Sequence, residues 1–200
     1  STKSMNVVYD GQIFQLQKAG GINRYFAELI TRQPSDWHPA ILAASDFGRN
    51  RPSHPNLVVS DGPYFRPRRL SYRLQQRKWR TLLGRSDVFH PTYFTSAAHL
   101  DLKSIPSPIV LTVYDLIFAK YEKLLNEAEP VVAAQREGVR RADRIICISR
   151  ETERDLLEQM PESTGKTQVI YLASSFTAEV TPAKIDETET RNFLYVGARS

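Results

Sequence analysis

Short apolar segments alternate with longer amphipathic ones along the chain, and this alternation limits the available folds more than any other feature. The apolar segments have the length of β-strands and are nearly continuous in hydrophobic character. They predict strands at 6–9, 40–43, 57–60, 88–90, 109–114, 144–148 and 167–172. Continuous apolar strands separated by helices indicate a parallel sheet with helices on both faces. We therefore predict an α/β, Rossmann-like fold.

Between these strands the amphipathic segments predict helices at 22–33, 67 to about 83, 127–142 and 149–159. Ser149 is expected to cap the last helix, because its hydroxyl can accept a hydrogen bond from the amide of Thr152. Residues 10–19, between the first strand and the first helix, are expected to form a loop. Ligands of open parallel sheets bind beyond the carboxyl ends of the strands, so the segments that follow the strands are the candidate site.

The first such segment carries Gly20 and Gly21, which we call the glycine loop, at the start of the first predicted helix. Two glycines let the backbone approach a ligand closely, and the exposed amides and the helix dipole favour an anion. Arg24, one turn further on, can add a charge-assisted contact. The alternative is a tight turn beside a solvent-facing arginine. The segment lacks the third glycine of a dinucleotide fingerprint.

The charge of the chain is concentrated in one segment. The formal net charge is +5, yet the segment from Arg66 to Arg85 holds eight basic residues and no acidic one. Because the excess is local, a nucleic-acid-binding function is not expected. Four arginines lie along one side of the predicted helix and form what we call the basic stripe: Arg69, Arg73, Arg77 and Arg80. The stripe is either a surface for an anionic membrane or a solvated face opposite Trp79 and Leu83 in the core.

Cysteine content and hydropathy bear on the compartment. Cys147 is the single cysteine, which excludes a disulfide framework and fits a reducing cytoplasm, and its place in a strand predicts core packing. The apolar runs have the length of strands, so no transmembrane helix is expected. We predict a cytoplasmic protein, either free or peripheral at the inner face of the membrane.

The last residues predict the start of a second domain. Residues 177–191 are polar, contain proline and have the composition of a linker, and 193–196 then read as a buried strand. We therefore assign 1–174 to an N-terminal domain, 175–191 to a linker and 192–200 to the first strand of a truncated domain.

Five segments resemble, in order, those of retaining glycosyltransferases of family 4. They are Gly20 to Tyr25, Leu111 to Leu116, Ala142 to Ser149, Val169 to Tyr171 and Phe193 to Arg199. The resemblance implies a GT-B fold, in which an N-terminal domain binds mainly the acceptor and a C-terminal domain binds the nucleotide-sugar. It also implies sugar transfer with retention by a front-face path, with no metal ion and no cofactor. This chain alone is then expected to be inactive.

The resemblance assigns roles to individual residues. The glycine loop, Arg24 and Arg199 would contact the phosphates or the sugar of the donor. Tyr114 and Asp115 would be the catalytic pair, although the family usually has histidine in place of this tyrosine, which cannot carry a positive charge at neutral pH. The alternative for Asp115 is that it caps the following turn.

His90 and Tyr93 are predicted to bind the acceptor, because aromatic rings stack on sugars while imidazole and phenol groups supply directional hydrogen bonds. A structural role is the alternative for His90. The expected partners are a nucleotide-sugar donor and a saccharide or lipid-linked acceptor. Two rival functions remain: a non-catalytic module that binds a membrane surface or a polyanion, and a GT-B sugar-nucleotide epimerase.

Overall fold

A computed structural model describes residues 4–42, 50–60, 77–94, 102–122 and 128–174. The strands are β1 (Asn6–Tyr9), β2 (His38–Leu42), β3 (Val58–Ser60), β4 (Val88–His90), β5 (Val110–Val113), β6 (Arg144–Cys147) and β7 (Thr167–Val169). The helices are α1 (Gln12–Leu16), α2 (Gly21–Thr31), α3 (77–84), α4 (Ile117–Lys120), α5 (Ala128–Arg141) and α6 (Arg150–Gln159). Short 3-10 turns occupy Leu102–Ser104 and Pro161–Ser163.

The described strands form a parallel sheet in two parts. One part has the order β3-β2-β1-β4 and the other the order β5-β6-β7. A single parallel bridge between Phe89 and Ile109 joins β4 to β5, and the amide of Phe89 donates to the carbonyl of Pro108 at 2.9 Å. The resulting order, 3-2-1-4-5-6-7, is that of a Rossmann-like sheet, and the predicted fold class is confirmed.

Alternation along β1 shows why the sheet is covered on both faces. Val7 and Tyr9 belong to the core cluster that includes Phe26 of α2, whereas Val8 belongs to the cluster that includes Trp79 of α3. Successive side chains of a strand point to opposite faces, so α2 and α3 cover opposite sides of this half of the sheet. A third cluster, built on β5, β6 and α5, forms the core of the other half.

The segment predicted as a loop at residues 10–19 contains a helix, and that prediction is wrong. The helix α1 is short and begins after Gly11, whose φ of 69° lies in the left-handed region. Because glycine has no side chain that could cap the helix, the sequence carries no capping signal for α1. Ile13 and Phe14 are fully buried, and their burial, rather than helix propensity, holds the turn in place.

Most other predicted boundaries agree to within two residues. β7 is shorter than predicted: it ends at Val169, and Leu172 is exposed. The capping prediction is confirmed, since the Ser149 hydroxyl accepts from the amide of Thr152 at 3.0 Å. Cys147 is fully buried, which confirms core packing. The predicted linker at 175–191 and the strand that follows it lie outside the described residues.

The basic stripe is only partly described. Arg77 and Arg80 are exposed on α3, and Trp79 and Leu83 on its other side are buried in the core. The apolar side of α3 therefore packs on the sheet, as the solvated-face alternative requires. Arg69 and Arg73 lie outside the described residues. None of the helices described is long and apolar enough to cross a membrane.

Candidate functional site

The site begins where β1 and β4 end side by side. β1 pairs in parallel with β2 on one side and with β4 on the other. The order in which successive strands are added to the sheet therefore reverses between β1 and β4. The crevice outside the carboxyl ends of such neighbours is where parallel sheets bind ligands. The residues after β1, β4 and β5 are therefore the ones that matter.

Asp10 and Thr92 lock the ends of β1 and β4 together, and both are almost fully buried. The carboxylate oxygen Oδ1 of Asp10 accepts from the amide and the hydroxyl of Thr92 at 2.8 and 2.6 Å. The Thr92 hydroxyl oxygen in turn accepts from the amide of Ile13 at 3.0 Å. The sequence analysis did not single out this pair, although an aspartate that directly follows a buried strand was a usable signal.

The two residues of the glycine loop have different surroundings. A Cβ atom added to Gly20 would overlap the side-chain oxygen of Gln17 and approach its Cδ to 2.8 Å, so the loop's own side chain fills that space. A Cβ added to Gly21 would meet no atom of the described residues within 4 Å. A side chain at Gly20 would thus displace the amide end of the Gln17 side chain, whereas Gly21 faces open space at the first residue of α2.

The start of α2 has the features of an anion site. The first amides of a helix have no carbonyl acceptor within the helix, and Gly20 has no side chain that could cap them. The helix α6 differs, because Ser149 caps it. Arg24 is exposed one turn into α2, and its amide donates to the carbonyl of Gly20 at 3.0 Å. The positive end of the helix dipole therefore lies at Gly21, which faces open space, one turn before Arg24.

Tyr25 connects this helix to the end of β5. Its ring meets that of Tyr114 edge to face, with the centroids 5.6 Å apart. The hydroxyl of Tyr114 is buried and has no hydrogen-bond partner among the described residues. Burial, and secondly the neighbouring Tyr25, raise the pKa of Tyr114 well above its usual value. Tyr114 is therefore a neutral phenol with an unused hydrogen-bonding capacity at the edge of the sheet.

Asp115 caps the turn that follows β5. Its Oδ1 accepts from the amide of Ile117 at 3.1 Å, which is the structural alternative that the sequence had left open. The carboxylate is exposed, and its charge raises the pKa of Tyr93, although burial is the larger cause of that shift. Asp115 and Tyr93 therefore lie near each other. A catalytic role for Asp115 and an acceptor contact by Tyr93 stay predictions.

The imidazole of His90 lies in the core. It is 5% exposed, and its Nε2 is 2.9 Å from the hydroxyl oxygen of Thr112. The rings of Tyr9 and Phe26 lie with their centroids 5.6 and 5.1 Å from that of His90. Burial lowers the pKa of His90 to about 4, so the ring is neutral at physiological pH. The predicted contact of His90 with the acceptor stays a prediction. The surroundings of its ring are those of a core residue.

The structure thus brings most of the predicted site residues to one edge of the sheet. Tyr25, in the helix that begins at the glycine loop, contacts the ring of Tyr114. Asp115 is the next residue in the chain, and its charge acts on Tyr93. Arg199 lies outside the described residues. Within the described ranges no three histidine, cysteine or carboxylate side chains are grouped closely enough to hold a metal ion.

Comparison with known proteins identifies the family. The model of a protein family described as Glycosyltransferase Family 4 matches residues 19–173, which is more than half of the chain. No individual curated protein matches the chain. The matched range begins just before the glycine loop and runs beyond β7, so it includes every element of the candidate site after α1. The chain belongs to glycosyltransferase family 4, and its parallel sheet is the Rossmann-like, N-terminal half of a GT-B fold.

Proposed function

We propose that this protein transfers a hexose from a nucleotide-sugar to a saccharide or lipid-linked acceptor, with retention of the anomeric configuration. Membership of the family supports glycosyl transfer in general. The observation that carries the finer proposal is the open space at Gly21, at the uncapped start of α2, the helix whose Tyr25 contacts the ring of Tyr114. Phosphate and sugar are the two chemical parts that such a neighbourhood can bind.

In the proposed reaction the glycine loop binds the phosphate side of the donor. The amides at the start of α2 and the guanidinium of Arg24 stabilise the negative charge that develops on the leaving phosphate. Gly21 permits this because a side chain there would stand between the backbone and the phosphate oxygens.

Tyr114 has the complementary role at the sugar. Its phenol is buried, so a hydrogen bond with a sugar hydroxyl requires the donor to displace the side chains that cover it, and its raised pKa keeps it protonated throughout the reaction. A neutral phenol cannot stabilise the leaving group as a histidine cation would. Among the described residues we therefore assign stabilisation of the leaving phosphate to α2 and Arg24, and orientation of the sugar to Tyr114.

The test is replacement of Gly21 by valine in the full-length protein. We expect Gly21→Val to lower sugar transfer by at least a hundredfold while the melting temperature stays within a few degrees, because Gly21 is exposed and a side chain there meets no protein atom. Radiolabelled nucleotide-sugars with saccharide and lipid-linked acceptors would measure transfer.

Gly84 supplies the matched control, because it is also an exposed glycine of a helix at which a Cβ would meet nothing within 4 Å. Gly84→Val should retain full transfer. Retained transfer in a folded Gly21→Val variant would show that the glycine loop is only a turn. Conversion of the donor to an epimer in the absence of any acceptor would favour the epimerase instead.

A further inference from the structure

The fully buried polar side chain nearest the glycine loop is Asn23, in the first turn of α2. It is 0% exposed, and its amide nitrogen Nδ2 donates to the backbone carbonyl of Gln17 at 2.9 Å. A carbonyl oxygen can only accept a hydrogen bond, so the amide nitrogen, and not the oxygen, must face Gln17. Asn23 therefore connects the helix to the chain that precedes the glycine loop.

Gln17 is held from its other side as well. Its amide donates to the carbonyl of Ile13 at 2.9 Å, which closes the last turn of α1. The backbone of Gln17 is thus fixed by α1 through its N–H and by α2 through its C=O. Only residues 18–20 lie between this anchor and the start of α2, and the side chain of Gln17 lies against Gly20.

Burying the polar side chain of Asn23 lowers the stability of the fold, so its presence at this position calls for another reason. The oxygen Oδ1 is buried and has no hydrogen-bond partner among the described residues. An apolar side chain would bury no unpaired polar atom of its own at this position, so stability alone does not favour asparagine. What only asparagine supplies at this position is the directed bond to Gln17.

We propose that Asn23 is a positioning residue: through Gln17 it fixes the conformation of the glycine loop and so sets the affinity for the donor. The inference rests on the proposed function, in which the donor phosphates contact the amides at Gly21. A loop held in its bound conformation before the ligand arrives loses less conformational entropy on binding, and the donor binds more tightly for that reason.

The experiment replaces Asn23 in the full-length protein. Asn23→Leu keeps the branching at Cγ but is larger and removes the hydrogen bond, and Asn23→Asp keeps the shape but places an acceptor against the Gln17 carbonyl. For both variants we expect the KM for the nucleotide-sugar to rise about tenfold, while the KM for the acceptor stays unchanged.

Ile30→Val is the matched control for stability. Ile30 is also fully buried in α2 but lies near its far end, away from the glycine loop. This variant should lower the melting temperature and leave the donor KM unchanged. If Ile30→Val raises the donor KM as much as Asn23→Leu does, the effect is one of stability, and the proposal is overturned.

Amide hydrogen exchange at Gly20 and Gly21 gives a readout that needs no activity. We expect faster exchange at both residues in Asn23→Leu and no change in Ile30→Val. Unchanged exchange in Asn23→Leu overturns the proposal, and so does faster exchange with an unchanged donor KM. If the wild-type protein transfers no sugar, the proposed function fails, and the exchange data still decide whether Asn23 fixes the loop.

Discussion

A histidine in the core departs from the usual acid–base chemistry of its side chain. His90 packs between Tyr9 and Phe26, and its Nε2 is bonded to the hydroxyl of Thr112. Burial lowers its pKa to about 4, against 6.5 for a free imidazole. Between these two values the unfolded chain binds a proton that the folded protein does not bind. The free energy of unfolding therefore decreases as the pH falls through this interval and is unaffected by His90 well above it.

The variant His90→Gln should reveal this contribution. Between pH 7 and pH 5 the wild-type protein should lose about 2 kcal/mol of stability more than the variant does, because glutamine has no group that titrates there. Urea unfolding at a series of pH values measures the difference. Parallel curves for the two proteins would mean that the pKa of His90 is the same in the folded and unfolded states, and the core assignment would then be wrong.

At the scale of single elements, α6 is the helix whose capping is best defined. The Ser149 hydroxyl accepts from the amide of Thr152, and the Thr152 hydroxyl donates to the carbonyl of Tyr114 at 3.2 Å. The cap therefore also orders the chain that follows β5. Ser149→Ala should lower the free energy of unfolding by about 1 kcal/mol.

Ser35→Ala, at an exposed serine in a turn, is the comparison, and it should change stability by no more than about 0.5 kcal/mol. Chemical denaturation of both variants measures the two values. Equal stability of Ser149→Ala and the wild-type protein would show that water replaces the cap at no cost.

The elements differ in how well the sequence predicts them. β5 and β6 were predicted closely because their side chains are buried on both faces, which makes the hydrophobic run continuous. The helix α1 was missed because five residues held by two buried side chains leave too short a pattern. The bonds of Asp10 to Thr92 and of Asn23 to Gln17 could not be predicted either, because the folded arrangement of the chain, and not a local sequence pattern, creates them.

The predicted site was recovered as a neighbourhood but not as a set of roles. The rule that ligands bind beyond strand ends selected the segments around the glycine loop and Tyr114, which the structure brings together through Tyr25, and ligand binding there stays a prediction. It could not tell that the imidazole of His90 turns into the core, whereas Tyr114 keeps a hydroxyl without a protein partner in the described part of the chain. Side-chain direction at the last residue of a strand decides that difference, and a sequence pattern does not contain it.

At the scale of the whole molecule, we predict from the basic stripe that the protein binds an anionic membrane. Because Trp79 and Leu83 are buried, the described part of α3 does not present these side chains to a bilayer, so the prediction rests on electrostatic attraction. Replacing the four arginines of the stripe by glutamine should abolish sedimentation with anionic vesicles at low salt. Wild-type binding should weaken as salt is raised, since surface charges are screened over about 8–10 Å.

A control with the same net charge separates the stripe from the total charge. Four exposed arginines elsewhere can be changed to glutamine: Arg32, Arg136, Arg150 and Arg154. This control should still sediment with the vesicles. Wild-type protein that stays in the supernatant at low salt would exclude the membrane interpretation and leave the stripe as a solvated face.

From the narrow junction between β4 and β5 we predict that the two parts of the sheet open separately. Within the described residues one bridge, from Phe89 to Ile109, pairs the two strands, whereas the strands within each part form complete ladders. One core cluster, which holds Phe89 and Ile109, spans the junction. The bond from His90 to Thr112 crosses this junction at the carboxyl edge, where the candidate site lies. Subglobal opening should therefore follow the junction, with four strands on one side and three on the other remaining folded as separate foldons. The bond between His90 and Thr112 would then resist separation of β4 from β5 beside the candidate site.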